Sequence, residues 1–448
     1  MTYRQAIDFL EGRERFGIRL GLANMSRLLA ALGEPQRGLK VFHVAGTNGK
    51  GSTARLTAGL LQASGFRVGL YTSPHLLDTR ERVQVDQRPV SRADFTRRIE
   101  ELAPVVERLS RFRPHSPTYF EVLTALAFRH FALEKVDFAV IEVGLGGRMD
   151  ATNLVQPLVS IITPIGLEHK RYLGNSLAAI AGEKGGIIKP GRPVVISTQR
   201  LSAGRVLRRL AGERRSTLYQ VGRDIRFEMG EAAADSNRFN LAWPGSDRRL
   251  ENLELALPGR YQVENAALAL LALEAAGLRP GVRTVRRAFR KVRWPGRLQV
   301  IRKEPPVLFD VSHNPPAIRV LVQNLEALYP GCRYRFIFGV LRDKDYRQML
   351  KTLAPKAAGF ILTRPDSNRA RDPQELADWL GRRFPGSPAI VAGTPREALE
   401  TGLGLIGRGE LLCICGSFYL ASVLKYINSA SRKASKPPSS TASTLPVS

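Results

Sequence analysis

The run Ala45-Gly46-Thr47-Asn48-Gly49-Lys50-Gly51-Ser52-Thr53 gathers the groups that a bound phosphate requires. Gly46, Gly49 and Gly51 let backbone N–H groups come close to phosphate oxygens. Lys50 adds a cation, and Ser52 or Thr53 can offer a hydroxyl to Mg²⁺. A short apolar run over 39–45 precedes the loop, and helical spacing over 52–63 follows it. The loop therefore sits at a helix N-terminus, where unpaired N–H groups and the helix dipole favour an anion. Gly51 stands between the lysine and the hydroxyls, a departure from the usual G-x-x-x-x-G-K-[ST] spacing. ATP suits such a loop, and the loop alone says no more.

Other donors stand at strand ends. Glu142 closes a strand read over 137–143, Ser73 follows one over 67–71, and His169 lies just past one over 158–163. Parallel sheets present ligands and catalytic groups at such ends. Three oxygen or nitrogen donors there suit a partly hydrated Mg²⁺ shared with ATP phosphates. On the residues alone His169 also reads as a polar loop residue, Lys184 as an ordinary helix lysine, and Tyr119 and Phe120 as core.

Strands and helices alternate around these groups. Strands over 39–45, 67–71, 137–143, 158–163 and 193–197 are interleaved with helical spacing over 52–63, 121–133 and 176–188. Strand followed by helix, repeated, implies a parallel sheet covered on both faces. Residues 201–257 are richer in charge and are read as short strands and loops; 261–276 is a helix ended by Gly277. Trp294-Pro295-Gly296-Arg297 marks a hinge. Beyond it, strands over 307–311, 334–340, 359–363, 389–391 and 411–415 alternate with helices over 316–328 and 373–383, a smaller doubly wound domain. The fold class expected is α/β: an N-terminal parallel-sheet P-loop ATPase domain over 1–295 and a smaller C-terminal Rossmann-like α/β domain over 296–428. The Ser-, Thr- and Pro-rich segment 429–448 is expected to be a disordered tail.

At 448 residues the chain exceeds one ordinary core, and 44% hydrophobic with 24% charged residues is the composition of a soluble globular protein. No apolar run is long enough to span a bilayer and no signal-peptide core opens the chain, so the expected location is the cytoplasm and no membrane partner is expected. The 3 cysteines cannot form a disulfide framework, and Cys413 and Cys415 read as strand packing. A net charge of +28 would attract a polyanion or a small anionic substrate alike. The arginines are scattered and no aromatic stacking platform accompanies them, so no nucleic-acid partner is expected.

With these residues in view, the chain resembles the Mur-ligase superfamily, and within it folylpolyglutamate synthase and dihydrofolate synthase. The resemblance rests on the loop, on Ser73-Pro74-His75-Leu76 with Glu81-Arg82, and on Thr118-Tyr119-Phe120-Glu121. It continues through the run from Glu142 to Asn153, Glu183-Lys184-Gly185-Gly186, Pro258-Gly259-Arg260-Tyr261, Pro295-Gly296-Arg297 and Asp310-Val311-Ser312-His313-Asn314-Pro315. It spans about residues 3 to 427. Three motifs depart from the family's pattern: Glu168 and Lys170 flank His169, Val311-Ser312 replaces Gly-Ala, and Gly185 replaces Ala.

The resemblance implies metal contacts from Ser73, Glu142 and His169, and two Mg²⁺ ions, the second held by a carbamylated Lys184. It implies nucleotide contacts from the loop residues 46–53, Asn265, Arg297, Asp310 and His313. For a pterin it points to Arg19-Leu20-Gly21-Leu22, Thr118-Tyr119-Phe120-Glu121 and Met149-Asp150-Ala151, while Arg342-Asp343-Lys344-Asp345 is a candidate for glutamate or simply a solvated loop. The implied catalytic residues are Lys50, Lys184 and His169. The implied reaction is ATP-dependent joining of L-glutamate to dihydropteroate or a folate γ-carboxylate through an acyl phosphate, in a monomer whose domains close about the hinge. Another Mur-type amino-acid ligase, or a nucleotide-gated nucleic-acid-binding protein, is the alternative.

Overall fold

The computed structural model describes residues 1–17, 19–111 and 116–427. The segment 429–448, expected to be a tail, lies outside the described residues. The chain divides into two compact units, Met1–Pro295 and a second that begins at Gly296.

In the first unit the strands are β1 (Val41–Ala45), β2 (Val68–Tyr71), β3 (Val83–Val85), β4 (Arg88–Pro89), β5 (Phe138–Glu142), β6 (Pro157–Ile162), β7 (Val194–Ile196), β8 (Leu218–Gln220), β9 (Arg226–Ala232), β10 (Asn237–Ala242) and β11 (Arg249–Leu255). Among the described residues β4-β3-β2-β5-β1-β6-β7-β8 form one sheet. It is parallel from β2 to β8, and β3 and β4 add an antiparallel edge. Strand β1 is wholly buried, pairs with β5 and β6, and aligns Val44 with Glu142 and Ala45 with Ile162. That register brings the turn after β1, the carboxylate ending β5 and the segment after β6 to one end of the sheet.

Helices seal both faces. The Lys50–Ala63 and Arg260–Ala275 helices pack in one core with Val44, Val140 and Ile161. Both are buried on most sides, enclosed by other elements, and carry buried polar residues such as Thr53 and Asn265 where they meet the loop. The Tyr119–Leu133 helix, opened by a reciprocal capping box between Thr118 and Glu121, lies in a second core with Tyr71, Phe95 and Ile141.

The expectation of short strands and loops over 201–257 needs correction. Leu201–Glu213 is an α-helix, and the antiparallel sheet β11-β10-β9 follows it. Ala203, Leu207 and Ala211 are buried at i, i+4 and i+8, which is the helical signal; the intervening arginines mask it.

In the second unit β12 (Gln299–Arg302), β13 (Val307–Phe309), β14 (Arg333–Phe338), β15 (Ala357–Thr363), β16 (Ala389–Ala392) and β17 (Glu410–Cys415) form a sheet ordered β12-β13-β17-β14-β15-β16. All its pairs are parallel except the antiparallel edge β12–β13. Cys413 and Cys415 are buried on β17, in keeping with a packing role. Among the described residues no helix is long and apolar enough to cross a membrane.

Candidate active site

The phosphate loop leaves β1 and turns into the Lys50–Ala63 helix at Gly49, which has φ 90° and provides no side-chain cap. A residue with a Cβ strains at that angle, and the helix's first N–H groups keep free positions for an anion. Thr47 ties the loop to the segment after β6: its N–H donates to the Pro164 carbonyl at 3.1 Å, and its hydroxyl donates to the Gly166 carbonyl at 3.1 Å. Lys50 Nζ donates to the Thr47 carbonyl at 3.2 Å, and Asn48 and Lys50 are half-buried. Beneath the loop, Thr53 Oγ1 donates to Asn265 Oδ1 at 3.3 Å. Asn265, expected to read the nucleotide, is 3% exposed and braces the helix start.

The inserted Gly51 has a spatial reason. A Cβ there would come 3.1 Å from the Trp294 ring and 3.4 Å from Glu142 Oε2. Its absence lets the helix start lie against the carboxylate that ends β5. Glu142, 4% exposed, accepts from the Ser73 N–H at 3.1 Å, so these two expected metal residues stand side by side. His169 has φ 50° and opens the short Lys170–Leu173 helix, with its Nε2 3.6 Å from Glu168 Oε1. Among the described residues no group of three or more His, Cys, Asp or Glu side chains could hold a metal.

Lys184 is brought to the loop from far along the chain. It is buried in the Leu177–Gly185 helix and its Nζ donates to the Gly46 carbonyl at 2.6 Å. Burial, then the nearby Lys50 cation, pushes its ammonium down to about 7, against the pull of Glu168 and Asp150. A Cβ on Gly147 would lie 2.9 Å from the carbonyls of Glu183 and Lys184, so glycine lets the turn after β5 approach this helix. A lysine poised near neutrality beside a cationic loop is able to act as a nucleophile toward CO₂ or as a switchable charge.

Among the described residues two buried hydroxyls around the loop have no hydrogen-bond partner, Ser52 Oγ and Thr163 Oγ1. Such orphaned groups are rare and mark places where a ligand completes the shell. The sequence reading anticipated Ser52 and missed Thr163, which follows β6 and would lie 1.8 Å from a Cβ on Gly46. It also took Trp294 only as part of a hinge, whereas its ring covers Gly51. The signal available was a tryptophan beside the Pro295-Gly296 hinge.

The segments expected at a pterin also converge. The Gly21 N–H donates to the Met149 carbonyl at 3.2 Å, joining Arg19-Leu20-Gly21-Leu22 to Met149-Asp150-Ala151. Glu121 Oε2 accepts from both the N–H and the hydroxyl of Thr118 at 2.8 Å. Burial raises the Glu121 carboxyl, while Thr118 and then Arg19 oppose this. Asp150 is spent locally: Oδ2 takes the Leu145 N–H at 2.8 Å and Oδ1 the Thr152 hydroxyl at 2.6 Å. Ala151 is buried beside it. Phe120 packs 6.0 Å from the Tyr71 ring, and Tyr119 lies beneath the Arg82 guanidinium at 5.2 Å. Arg82 Nε in turn faces His75 Nδ1 at 2.9 Å.

In the second unit, Asp310 ends the β13 region with both oxygens engaged: Oδ2 with the Leu298 N–H at 2.8 Å, Oδ1 with the Ser312 N–H at 2.8 Å. Arg297 lies 5.3 Å over the Phe418 ring, and His313 faces the same ring at 5.3 Å with Nδ1 2.9 Å from the Val311 carbonyl. Phe418, which the sequence reading did not single out, thus organises both.

Against known proteins, residues 44–273 match the Mur ligase middle domain and 296–418 the Mur ligase glutamate ligase domain. The chain is 35% identical over 429 residues to the dihydrofolate synthase/folylpolyglutamate synthase of Bacillus subtilis, covering 95% of this chain and 98% of the relative. Among solved structures, Mycobacterium tuberculosis folylpolyglutamate synthase complexed with ADP superposes with a TM-score of 0.88 at 34% identity, covering 94% of this chain and 97% of that one. E. coli FolC in complex with DHPP and ADP gives 0.85 at 30% identity, covering 96% and 99%.

Proposed function

The chain belongs to the Mur ligase family, in its folylpolyglutamate synthase/dihydrofolate synthase branch, and on that premise we propose that it joins L-glutamate to dihydropteroate, to a folate γ-carboxylate, or to both, at the expense of ATP. The observation that carries the reading is the uncapped Lys50–Ala63 helix, opening beside Lys50, the partnerless Ser52 hydroxyl and the Glu142 carboxylate.

A free carboxylate resists nucleophiles because of its negative charge. Its oxygen therefore attacks the γ-phosphorus of ATP, ADP leaves, and the resulting acyl phosphate carries a good leaving group. The glutamate amine attacks the acyl carbon, loses a proton, and phosphate departs. The loop N–H groups and Lys50 would stabilise charge on the transferring phosphoryl group, an effect worth several kcal/mol in a preorganised site. Asn265 holds the helix start in place from below.

Mg²⁺ fits the donors present. It keeps several waters and takes few protein oxygens, so a cage of three acidic or histidine side chains is not required. Ser52, with an orphaned hydroxyl, and Glu142 would hold it, with Ser73 and His169 as further candidates; bound there it would screen phosphate charge. Carbamylation of Lys184, which needs an uncharged amine, suits an ammonium pushed to about 7 and would supply an anionic oxygen pair for a second ion. Arg297, Asp310 and His313 would contact the nucleotide. Arg19 to Leu22, Thr118 to Glu121 and Met149 to Ala151 would receive the pterin. The enzyme would act in the cytoplasm as a monomer on small molecules, without nucleic acid.

ADP release tests the reading. It should require L-glutamate together with dihydropteroate or tetrahydrofolate, and the ratio of the two rates assigns the acceptor. Release driven by a UDP-muramyl acceptor instead, or by nucleic acid, would overturn it.

A further inference from the structure

Further along the helix that begins at the phosphate loop, Arg55 and Gln62 line a surface cleft of about 350 Å³, with Gln87, Arg287 and Lys291 on its other walls. The lining contains no Asp or Glu. Arg287 and Lys291 are exposed, Arg287 with its Nη2 donating to the Ala63 carbonyl, and by themselves they are an ordinary surface helix face. Arg55 is different. It is 7% exposed, its Nε donates to the Arg293 carbonyl at 3.1 Å, and its Nη2 donates to the Gln87 side-chain oxygen. Its Nη1 is buried and has no hydrogen-bond partner among the described residues. Burial with no carboxylate to offset it pushes this guanidinium down to about 10. A buried, incompletely bonded guanidinium is costly unless an anion compensates it. Arginine's planar fork is the group best matched to paired oxyanion atoms.

We propose that this cleft is an anion-binding site separate from the phosphate loop, with Arg55 as its buried charge and Arg287 and Lys291 as its outer grip. Its ligand carries clustered oxyanions, either free phosphate or the carboxylates of a γ-linked glutamate chain. The second source rests on the glutamate-ligase reading; the first does not. The volume is near the lower end of ligand pockets, roughly 300–1,000 Å³, which suits a phosphate or one to two glutamyl units rather than a fused ring system with a tail.

The test uses the full chain carrying Lys50→Ala, which weakens anion binding at the loop, and titrates it calorimetrically at low salt with inorganic phosphate and, separately, with tri-γ-glutamate. One site should remain. Adding Arg287→Gln and Lys291→Gln should weaken it at least tenfold while the melting temperature stays unchanged, and added salt should weaken it further. If the triple variant melts early, Arg287→Gln alone in the Lys50→Ala background is read instead, with a several-fold loss expected. Tighter binding of phosphate assigns the free ion, and tighter binding of the peptide assigns the chain. No remaining site in the Lys50→Ala protein, or a site indifferent to the rim substitutions, overturns the proposal. If ADP release fails to depend on glutamate, the phosphate titration still decides the site.

Discussion

Replacing Lys184 with methionine should move stability and activity in opposite directions. The folded chain releases the Lys184 proton near pH 7, whereas an unfolded lysine keeps it to about 10.5. Between those values the unfolded state binds more protons, so stability contributed by this group rises with pH from about 7 to about 10.5 and is lost as pH falls. Below pH 7 the folded protein carries a buried ammonium penalised by roughly 5 kcal/mol, the gap of about 3.5 pH units at 1.36 kcal/mol each. Methionine removes that penalty but also removes the 2.6 Å bond to the Gly46 carbonyl, a loss of about 1–3 kcal/mol. Lys184→Met should therefore be more stable than the parent by roughly 2–4 kcal/mol at pH 6. It should lose that advantage, and become less stable, near pH 10. Denaturant unfolding at the two pH values measures this, and ADP release at pH 8 should fall by at least a hundredfold in the same variant. A variant destabilised equally at both pH values would instead make Lys184 an ordinary bonded ammonium and overturn this expectation.

Lys50→Ala should lower kcat about 10²–10³-fold at saturating Mg·ATP with an unchanged melting curve, since its amine bonds only the Thr47 carbonyl at 3.2 Å. Ser52→Ala should leave unfolding free energy within about 0.5 kcal/mol, because the lost hydroxyl has no protein partner, yet raise the Mg²⁺ concentration needed for half-maximal rate severalfold. Gly46→Ala should destabilise by roughly 2–3 kcal/mol and abolish nucleotide binding in a fluorescence titration, as its Cβ would fall 1.8 Å from Thr163 Oγ1.

Much of this architecture is written in local patterns. Val41–Ala45 and Phe138–Glu142 are short apolar runs, and glycines stand where the chain must turn or let a neighbour approach, so the sheet and the phosphate loop could be read directly. The Leu201–Glu213 helix could not, because neither signal that ends a helix is present. Arg200 and Arg214 occupy its caps, no side chain caps its start, and its buried residues are small or widely spaced among arginines. Within the site, Lys184 and Gly46 are 138 positions apart, and nothing in either segment announces a contact that depends on the order of β1, β5 and β6. The packing of Trp294 on Gly51 is hidden in the same way. Motifs name the groups; only the sheet's register brings them together.

Activation of the acceptor's carboxylate as an acyl phosphate at the 46–53 loop leaves an isotopic trace. An acceptor whose reacting carboxylate carries ¹⁸O is supplied with ATP and L-glutamate, and the released phosphate is analysed by mass spectrometry. Each phosphate formed should carry one acceptor-derived oxygen, and with Lys50→Ala labelled phosphate should appear about 10²–10³-fold more slowly. Phosphate that carries only solvent or ATP oxygen while the amide product accumulates would contradict this activation.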